Sequence, residues 1–400
     1  MSAPYFFFHP MLAADQAWSA LRWQAAGAHP ATVEALAGCF DEAGAAPLAD
    51  RLPLVLAIDP AWLAQGEFIQ KFAPNQAIFV LPPSVLAQPA VLEQCALLRK
   101  RGVHLALHLD GSTGVRQVPL AAFDHLHIDG EHARRDLTPL DLIHAGDAGL
   151  RRIADRVSSH ALFAWLAGKQ FELSDGGFLG TPDPAHAIDP DTTRVKMLRL
   201  LSLVVQDADT REIEAVFREE PKLAYDLLRL VNSVAVGART EISSFHQAIA
   251  MLGRRQLQRW LQLLIYANQY GHARHPNPLM QLAAARGRQM ELICIESGLP
   301  RGQPDAGDAA FMTGIFSLLD VLLHLPMSEV LDALPLQDGI RAALENHGGF
   351  LGELLGALVA AERGEPDRAA TVLARLGIAP GIHARAQTAA LYWASRINLE

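Results

Sequence analysis

The stretch PKLAYDLLRLVNSVAVG at residues 221–237, followed by ISSFHQAIAMLGRRQLQRW at 242–260, decides how the second half of the chain folds. Pro221 suits the first turn of one helix, and Ser243 or Ser244 can cap the next one. Gly253 then supplies a break before a further helix begins. Capped helices that follow one another so closely predict a helical bundle.

The same helical pattern extends on both sides of this stretch. Val195, Leu198 and Leu201 have the three-and-four spacing of one buried helix face. Helices are predicted at residues 192–206, 209–217, 221–237, 243–252, 254–268, 279–297, 308–325 and 328–333. The second half is therefore expected to be all-α.

The first half alternates short strand-like runs with helical ones. Strands are predicted at residues 53–58, 77–81, 103–108 and 125–129, with helices at 89–101 and 137–145. This alternation favours a parallel sheet or barrel with helices outside. Three prolines between residues 180 and 190 suit neither element and indicate a linker. The predicted organisation is a first domain at 1–184, a linker at 185–191 and a second domain at 192–400.

The composition limits the class of protein. Half of the 400 residues are apolar and 19% are charged, which excludes a disordered chain. A net charge of -9 disfavours nucleic-acid binding, and the apolar run at 260–266 is far shorter than the ~20 residues of a membrane helix. The start of the chain does not resemble a signal peptide. Only three cysteines are present, so we do not expect a disulfide framework. We therefore expect a cytoplasmic location.

The segments at 221–237 and 242–260 together resemble the signature of HDOD domains, bacterial signalling modules related to the HD phosphohydrolases. The likeness lies in the Leu-x-x-x-Asn-Ser segment, the Ile-Ser-Ser cap and the Leu-Gly-Arg-Arg segment. The first half resembles an EAL domain of the cyclic-di-GMP phosphodiesterase type at residues 19–23, 105–111, 123–129 and 176–182. The resemblance implies a modified (β/α)8 TIM-like EAL barrel followed by an HDOD helical bundle.

Departures from the EAL pattern affect the metal ligands that the resemblance implies. Trp18 or Ser19 stands at the opening Glu position, and His108 and Leu109 replace the metal-binding Asp pair. His127 stands at the Lys position. An active site of this family uses several carboxylates to hold two metal ions, so we expect no metal, no cofactor and no catalytic residue here. Isolated acids remain near equivalent places, as capping or solvated groups or as a residual ligand site: Asp59, Asp110, Asp129 and Asp155.

The HDOD half departs from HD hydrolase chemistry in the same way. The metal-binding His-Asp pair of that superfamily is replaced by Phe316 and Ser317. Asp320 is expected to lie on a helix surface. A transition-metal site formed by i, i+2 histidine pairs on strand-like segments is an alternative to ordinary hydrogen bonding, among His104, His108, His125, His127 and His132.

One helix offers a candidate partner surface. Arg255 and Arg259 are four residues apart and share a face, while Trp260 lies on an adjacent one, next to Arg254. This helix could present cations and an aromatic ring to an acidic partner. The alternative is that Trp260 packs into the bundle and the arginines are solvated or paired with Glu219 or Glu220.

These features predict a non-catalytic signalling protein that acts through protein–protein interaction with an unidentified partner, and they allow a homodimer. The alternative is a cyclic-di-GMP receptor without hydrolysis, with Arg22, Asp59, Asp110 and Asp129 as candidate ligand-binding residues. Arg22 matches the phosphate-contacting Arg that follows the family's opening motif. A third alternative is an active phosphodiesterase, which metal-dependent hydrolysis by the purified protein would establish.

Overall fold

The computed structural model describes residues 4–26, 32–64, 66–73, 75–111, 114–184, 254–267 and 277–397, with isolated residues between 199 and 213. The signature segment at 221–253 and the linker predicted at 185–191 lie outside these residues. The chain divides into two compact units. The first contains Met1–Phe178, Ala360–Thr371 and Ala379–Thr388, and the second contains Leu179–Val359, Val372–Ile378 and Ala389–Glu400.

The first unit is built around a closed barrel whose eight strands follow chain order. The strands are β1 Phe6–Leu12, β2 Trp18–Ala25, β3 Leu54–Ala57, β4 Ala77–Leu81, β5 His104–Leu109, β6 His125–Asp129, β7 Arg151–Asp155 and β8 Leu173–Asp175. β1 is antiparallel to β2 and β8, and the remaining neighbours are parallel. The prediction of a (β/α)8-type barrel is confirmed.

Helices follow most strands and are started by capping side chains. Those before β8 are α1 Val33–Glu42, α2 Ala46–Arg51, α3 Gly66–Gln70, α4 Pro89–Lys100, α5 Gly130–Asp136, α6 Pro139–Asp147 and α7 His160–Gly168. Thr32, Thr138 and Ser159 each accept a backbone N–H at the start of a helix. Such caps stabilise a helix by about 1 kcal/mol, so these helix starts are set locally by the sequence.

The barrel interior is filled by one apolar layer. Its members come from seven strands and are Met11, Ala20, Val55, Ile78, Val80, Ala106, Ile153 and Leu173. Alternate residues of a strand face the same side, so the residue two positions further along also points into the barrel. At the carboxyl ends of β2, β5, β7 and β8 these next residues are polar: Arg22, His108, Asp155 and Asp175. The apolar layer therefore forms the floor of a polar site.

The C-terminal part of the chain completes the barrel unit. β8 pairs with β1 only at Met11 and Leu12, which leaves the first half of β1 without a neighbour on that side. Gln387 supplies both bonds there, because its Oε1 accepts from the Phe8 N–H at 3.0 Å and its Nε2 donates to the Phe8 carbonyl at 3.1 Å. His383 Nε2 lies 3.1 Å from the Phe6 carbonyl oxygen. The compact unit thus differs from the predicted 1–184 domain by including late segments of the chain.

The described part of the second unit, including the helices that continue into the late barrel segments, is helical. These helices are α8 Arg254–Ala267, α9 Pro278–Ser297, α10 Ala306–Phe316, α11 Leu319–Leu323, α12 Met327–Asp332, α13 Asp338–Asn346, α14 Gly349–Glu362, α15 Pro366–Arg375 and α16 Pro380–Ala394. α9 and α10 cross where Gly287 meets Gly314, and a Cβ on Gly314 would lie 2.6 Å from Gly287 Cα. The two backbones can approach so closely only because both residues are glycines.

One helical stretch among the described residues, Ala306–Leu323, is long and apolar enough to cross a membrane by length and composition alone. However, 67% of it is buried inside the protein, as in the core helix of a soluble protein. It is therefore a weak indication of a membrane span.

Candidate functional site

A pocket opens at the carboxyl ends of the barrel strands, where the sites of (β/α)8 proteins lie. Its volume is about 430 Å³. It is lined by Arg22, Trp23, Gln24, Val55, Ala57, Val80, His127, Asp155, Arg156, Arg363 and Gly364. Most of these residues belong to barrel strands, and the last two come from the C-terminal part of the first unit.

Arg22 forms the centre of the charged network beneath the pocket. Its Nη1 lies 3.0 Å from Asp175 Oδ2 and 3.9 Å from Asp155 Oδ2. Asp175 also accepts the backbone N–H groups of Gly177 and Arg156, at 3.1 and 3.3 Å. Burial raises the pKa of both Asp155 and Asp175, and the guanidinium of Arg22 opposes that rise. The network places a fixed cation between two carboxyl groups.

Two histidines on neighbouring strands bond to each other beside this network. β5 and β6 pair His108 with His127, and their Nδ1 atoms lie 3.0 Å apart, so one ring donates and the other accepts. Burial lowers the pKa of His127 to about 3, and the neighbouring His108 and Arg22 lower it further. His127 is therefore neutral at pH 7. With both Nδ1 atoms engaged, the pair is a hydrogen-bonded wall of the pocket.

Asp129 acts as a helix cap and an ion-pair partner. Its Oδ1 accepts the His132 N–H at the start of α5, at 3.0 Å. Its Oδ2 lies 2.9 Å from Nε of Arg156, which lines the pocket. Asp129 was predicted as a ligand-binding residue, and the structure places it behind Arg156, outside the residues that line the pocket.

Asp59 and Asp110 also lie outside the pocket lining. Asp59 is exposed, and its Oδ1 accepts the Ala61 N–H at 2.8 Å, which starts the turn after β3. Asp110 is exposed and follows the end of β5. Of the four predicted ligand-binding residues, the structure therefore places only Arg22 in the pocket wall.

Sequence reasoning missed three polar residues of this site. Asp175 and Arg156 follow strands and carry no motif that distinguishes them from solvated acids and bases. Arg363 lies far along the chain, and only the folded structure brings it to the barrel. The signal that could have identified Asp175 is strand alternation, because Asp175 lies two positions after a buried member of the barrel layer.

A second polar cluster lies at the opposite, amino-terminal end of β5 and β6. Asp124 Oδ2 is 2.7 Å from His104 Nδ1, and Asp124 Oδ1 is 3.0 Å from His125 Nδ1. Burial opposes ionisation of Asp124, but the hydrogen bonds from His125 and His104 outweigh it and hold its pKa below the usual range. The histidines thus pair across strands through a carboxylate, whereas the sequence analysis considered pairs within a strand.

This cluster could offer one ligand atom from each of its three residues to a metal ion. However, Arg151 Nη2 lies 3.6 Å from Asp124 Oδ2 and 3.4 Å from His104 Nδ1. A guanidinium at that distance repels a divalent cation. The geometry therefore favours a hydrogen-bonded histidine–carboxylate cluster over a metal centre.

The structure describes two of the four side chains of the predicted partner surface on α8, those of Arg259 and Trp260. Trp260 is 3% exposed and packs against Trp393, with ring centroids 5.6 Å apart. Arg259 bonds to Glu291 and lies 2.8 Å from Asp308, and its guanidinium sits over the Phe311 ring. A buried ring cannot contact a partner, so these two residues give the predicted surface no support. The side chains of Arg254 and Arg255 lie outside the described residues.

The position of the HD metal site holds a hydroxyl group and a cation. Phe316 is buried, and Ser317 Oγ accepts from Arg286 Nη1 at 2.7 Å and donates to the Gly314 carbonyl at 2.7 Å. Asp320 is half-buried, contrary to the expected surface position, and burial raises its pKa. The arrangement provides an arginine where the superfamily has ligands.

Comparison with known proteins gives the class of each part. Residues 192–319 match the family model of the HDOD domain. The protein is 26% identical over 285 residues to the uncharacterized protein YuxH of Bacillus subtilis, covering 69% of this chain and 68% of that protein. It is 28% identical over 206 residues to the cyclic di-GMP phosphodiesterase CdgJ of Vibrio cholerae, covering 51% of this chain and 46% of that protein.

Solved structures with a similar barrel include EAL domains. The PaMucR phosphodiesterase in complex with c-di-GMP is 13% identical and matches 46% of this chain and 98% of its own, with a TM-score of 0.36. The EAL domain of Mycobacterium smegmatis DcpA is 19% identical and matches 44% of this chain and 88% of its own, with a TM-score of 0.34. The closed barrel and the HDOD match agree with the predicted order of a (β/α)8-type barrel followed by an HDOD domain. These domains support a role in signalling.

Proposed function

We propose that this protein is a non-catalytic signalling regulator that acts through protein–protein interaction. The observation that carries the proposal is the position of Arg22 between Asp155 and Asp175, 3.9 and 3.0 Å away. Two-metal hydrolysis of a phosphodiester needs several carboxylate oxygens free to bind divalent cations. Here the two buried carboxyl groups beneath the pocket already share a guanidinium.

The rest of the pocket supports the same proposal. Val55, Ala57 and Val80 line the pocket with side chains that offer no ligand atom, and His108 and His127 bond to each other. These residues do not fit a two-metal centre of the kind that the EAL resemblance implies. Although the Vibrio relative is named a cyclic di-GMP phosphodiesterase, less than half of its length aligns with this chain.

The helical unit supports a regulatory role by the same argument. Ser317 accepts a hydrogen bond from Arg286, a buried cation, at the place where a hydrolytic metal would need a carboxylate. Because the described residues at neither of these two sites offer the ligands of a metal centre, we propose that the helical unit binds a protein partner in the cytoplasm, with Arg254 and Arg255 as the candidate contacts. A homodimer is one form of this proposal.

The decisive experiment incubates the full-length protein with cyclic-di-GMP and either Mg²⁺ or Mn²⁺, followed by chromatographic separation of the linear dinucleotide. If the protein is a non-catalytic regulator, the wild type should form no more linear dinucleotide than the Asp155→Asn variant does. Metal-dependent product that this substitution abolishes would overturn it. Site-specific photocrosslinking from position 255 in living cells tests the partner, with one specific crosslinked protein expected, or a second copy of this chain.

A second candidate function is a receptor that binds cyclic-di-GMP without hydrolysis. It is favoured by the position of Arg22 in the wall of a pocket of about 430 Å³. Pockets of roughly 300–1,000 Å³ are typical of small-ligand sites. Calorimetric titration with cyclic-di-GMP tests this candidate. Defined stoichiometry that is lost in Arg22→Ala, with no linear product, supports it, and absence of heat at millimolar ligand rejects it.

A further inference from the structure

The turn that follows α14 forms part of the pocket wall. Gly364 N–H donates to the Ala361 carbonyl and Glu365 N–H donates to the Ala360 carbonyl, both at 2.9 Å. Gly364 has φ +80, the left-handed conformation in which glycine commonly ends a helix. The chain therefore reverses directly after Arg363, and Arg363 and Gly364 line the pocket.

The turn is held against the barrel by a close backbone contact. A Cβ built on Gly177 would lie 3.3 Å from the Glu362 carbonyl oxygen and 3.7 Å from Asp175 Oδ1. Gly177 also donates its N–H to Asp175, the carboxyl group bound by Arg22. Because Gly177 has no side chain, the turn can approach the charged network formed by Asp175 and Arg22.

The arginines around the pocket differ in whether a carboxylate neutralises their charge. Arg22 is paired with Asp175, and Arg156 is paired with Asp129. Arg363 is exposed and forms no hydrogen bond or ion pair with any residue in the part of the chain that the structure describes. In addition, Nε of Arg22 is buried without an acceptor. An anion bound in this pocket would satisfy both the buried donor that has no acceptor and the unpaired guanidinium.

We infer that Arg363, delivered to the barrel by the turn at 361–364, binds a phosphate group of a nucleotide in this pocket. The inference rests on the receptor candidate and adds a specificity-determining residue from the C-terminal part of the chain. A guanidinium favours phosphate because its planar donors match two oxygens at once. The barrel strands alone would then form an incomplete site.

The test measures binding of two probes, cyclic-di-GMP and GMP, to the full-length protein by calorimetry. Two variants are compared with the wild type. Arg363→Ala removes the charge, whereas Gly177→Val keeps the arginine at position 363 but displaces the turn that carries it. The matched control is Arg368→Ala, since Arg368 lies on the same C-terminal segment, pairs with Glu365 at 2.9 Å and does not line the pocket. Loss of one charge-assisted hydrogen bond should weaken binding about tenfold in the first two variants. The control should bind as the wild type does.

The outcomes separate this inference from the proposals on which it rests. Equal affinity of Arg363→Ala and wild type overturns the inference and leaves the receptor candidate intact. Failure of the wild type to bind either probe overturns both, while the non-catalytic regulator stands. Equal weakening in Arg363→Ala and Arg368→Ala would show a general charge effect and would also overturn the assignment to Arg363. A smaller salt dependence of the residual binding in Arg363→Ala alone supports it.

Discussion

Replacing Gln387 with Leu should open the first strand of the barrel. Gln387 is 7% exposed and its side chain satisfies both the N–H and the carbonyl of Phe8, at 3.0 and 3.1 Å. Leu keeps the volume but leaves two buried backbone groups without partners. At about 1–2 kcal/mol for each unsatisfied group, we expect local destabilisation of about 2–4 kcal/mol.

Amide hydrogen exchange measured by mass spectrometry tests this prediction. If β1 exchanges through local opening, 2–4 kcal/mol corresponds to an acceleration of about 30-fold to several hundred-fold for peptides covering Phe6–Leu12. Peptides covering Pro278–Ser297 in the second unit should be unchanged. The control is Gln337→Ala, because Gln337 is exposed and its side chain makes no capping bond. Unchanged protection of β1 in Gln387→Leu would refute the reasoning.

Three further predictions concern stability. Thermal denaturation should show the barrel unit weakening as the pH falls from 6.5 towards 4, by about 1.4 kcal/mol per pH unit for each buried neutral histidine, and His383→Gln should reduce this slope by one such increment. The reason is that burial lowers the pKa of His383 to about 4 in the folded protein. As the pH falls, the unfolded chain therefore binds a proton at this histidine at a higher pH than the folded protein does. Gly314→Ala should cost about 1–3 kcal/mol in thermal melts because its Cβ meets the Gly287 backbone, whereas Gly339→Ala, with open space around it, should not destabilise. In urea unfolding, Arg259→Met should cost about 2–4 kcal/mol because it removes one of two partners of the buried Glu291, and adding Glu291→Gln should recover part of that loss.

Much of the fold could be predicted from hydrophobic periodicity. Strands predicted at 77–81 and 125–129 are observed at Ala77–Leu81 and His125–Asp129, and the helix predicted at 254–268 is observed at Arg254–Ala267. These elements are defined by local patterns of apolar residues. The helix predicted at 308–325 is instead two helices, Ala306–Phe316 and Leu319–Leu323, and periodicity alone did not reveal the break at 317–318.

The site was harder to predict because its contacts join distant parts of the chain. Arg22 was identified through a family motif, but its partner Asp175 depends on barrel closure, which brings β8 next to β1. The pairing of His108 with His127 depends on strand register, which a one-residue shift would abolish. Arg363 reaches the pocket only after the intervening helices have folded, and no local pattern signals that position.

The bonds from Gln387 and His383 to β1 also have a consequence for protein synthesis. Gln387 is separated from Phe8 by 379 positions, so β1 is completed by a helix that is synthesised much later. At about 5–20 residues per second, that interval lasts about 20–75 s. During this time the nascent first strand exposes an unpaired edge, the kind of surface that chaperones bind. Translation order and folding order therefore differ, and β1 gains these bonds only after α16 has been synthesised.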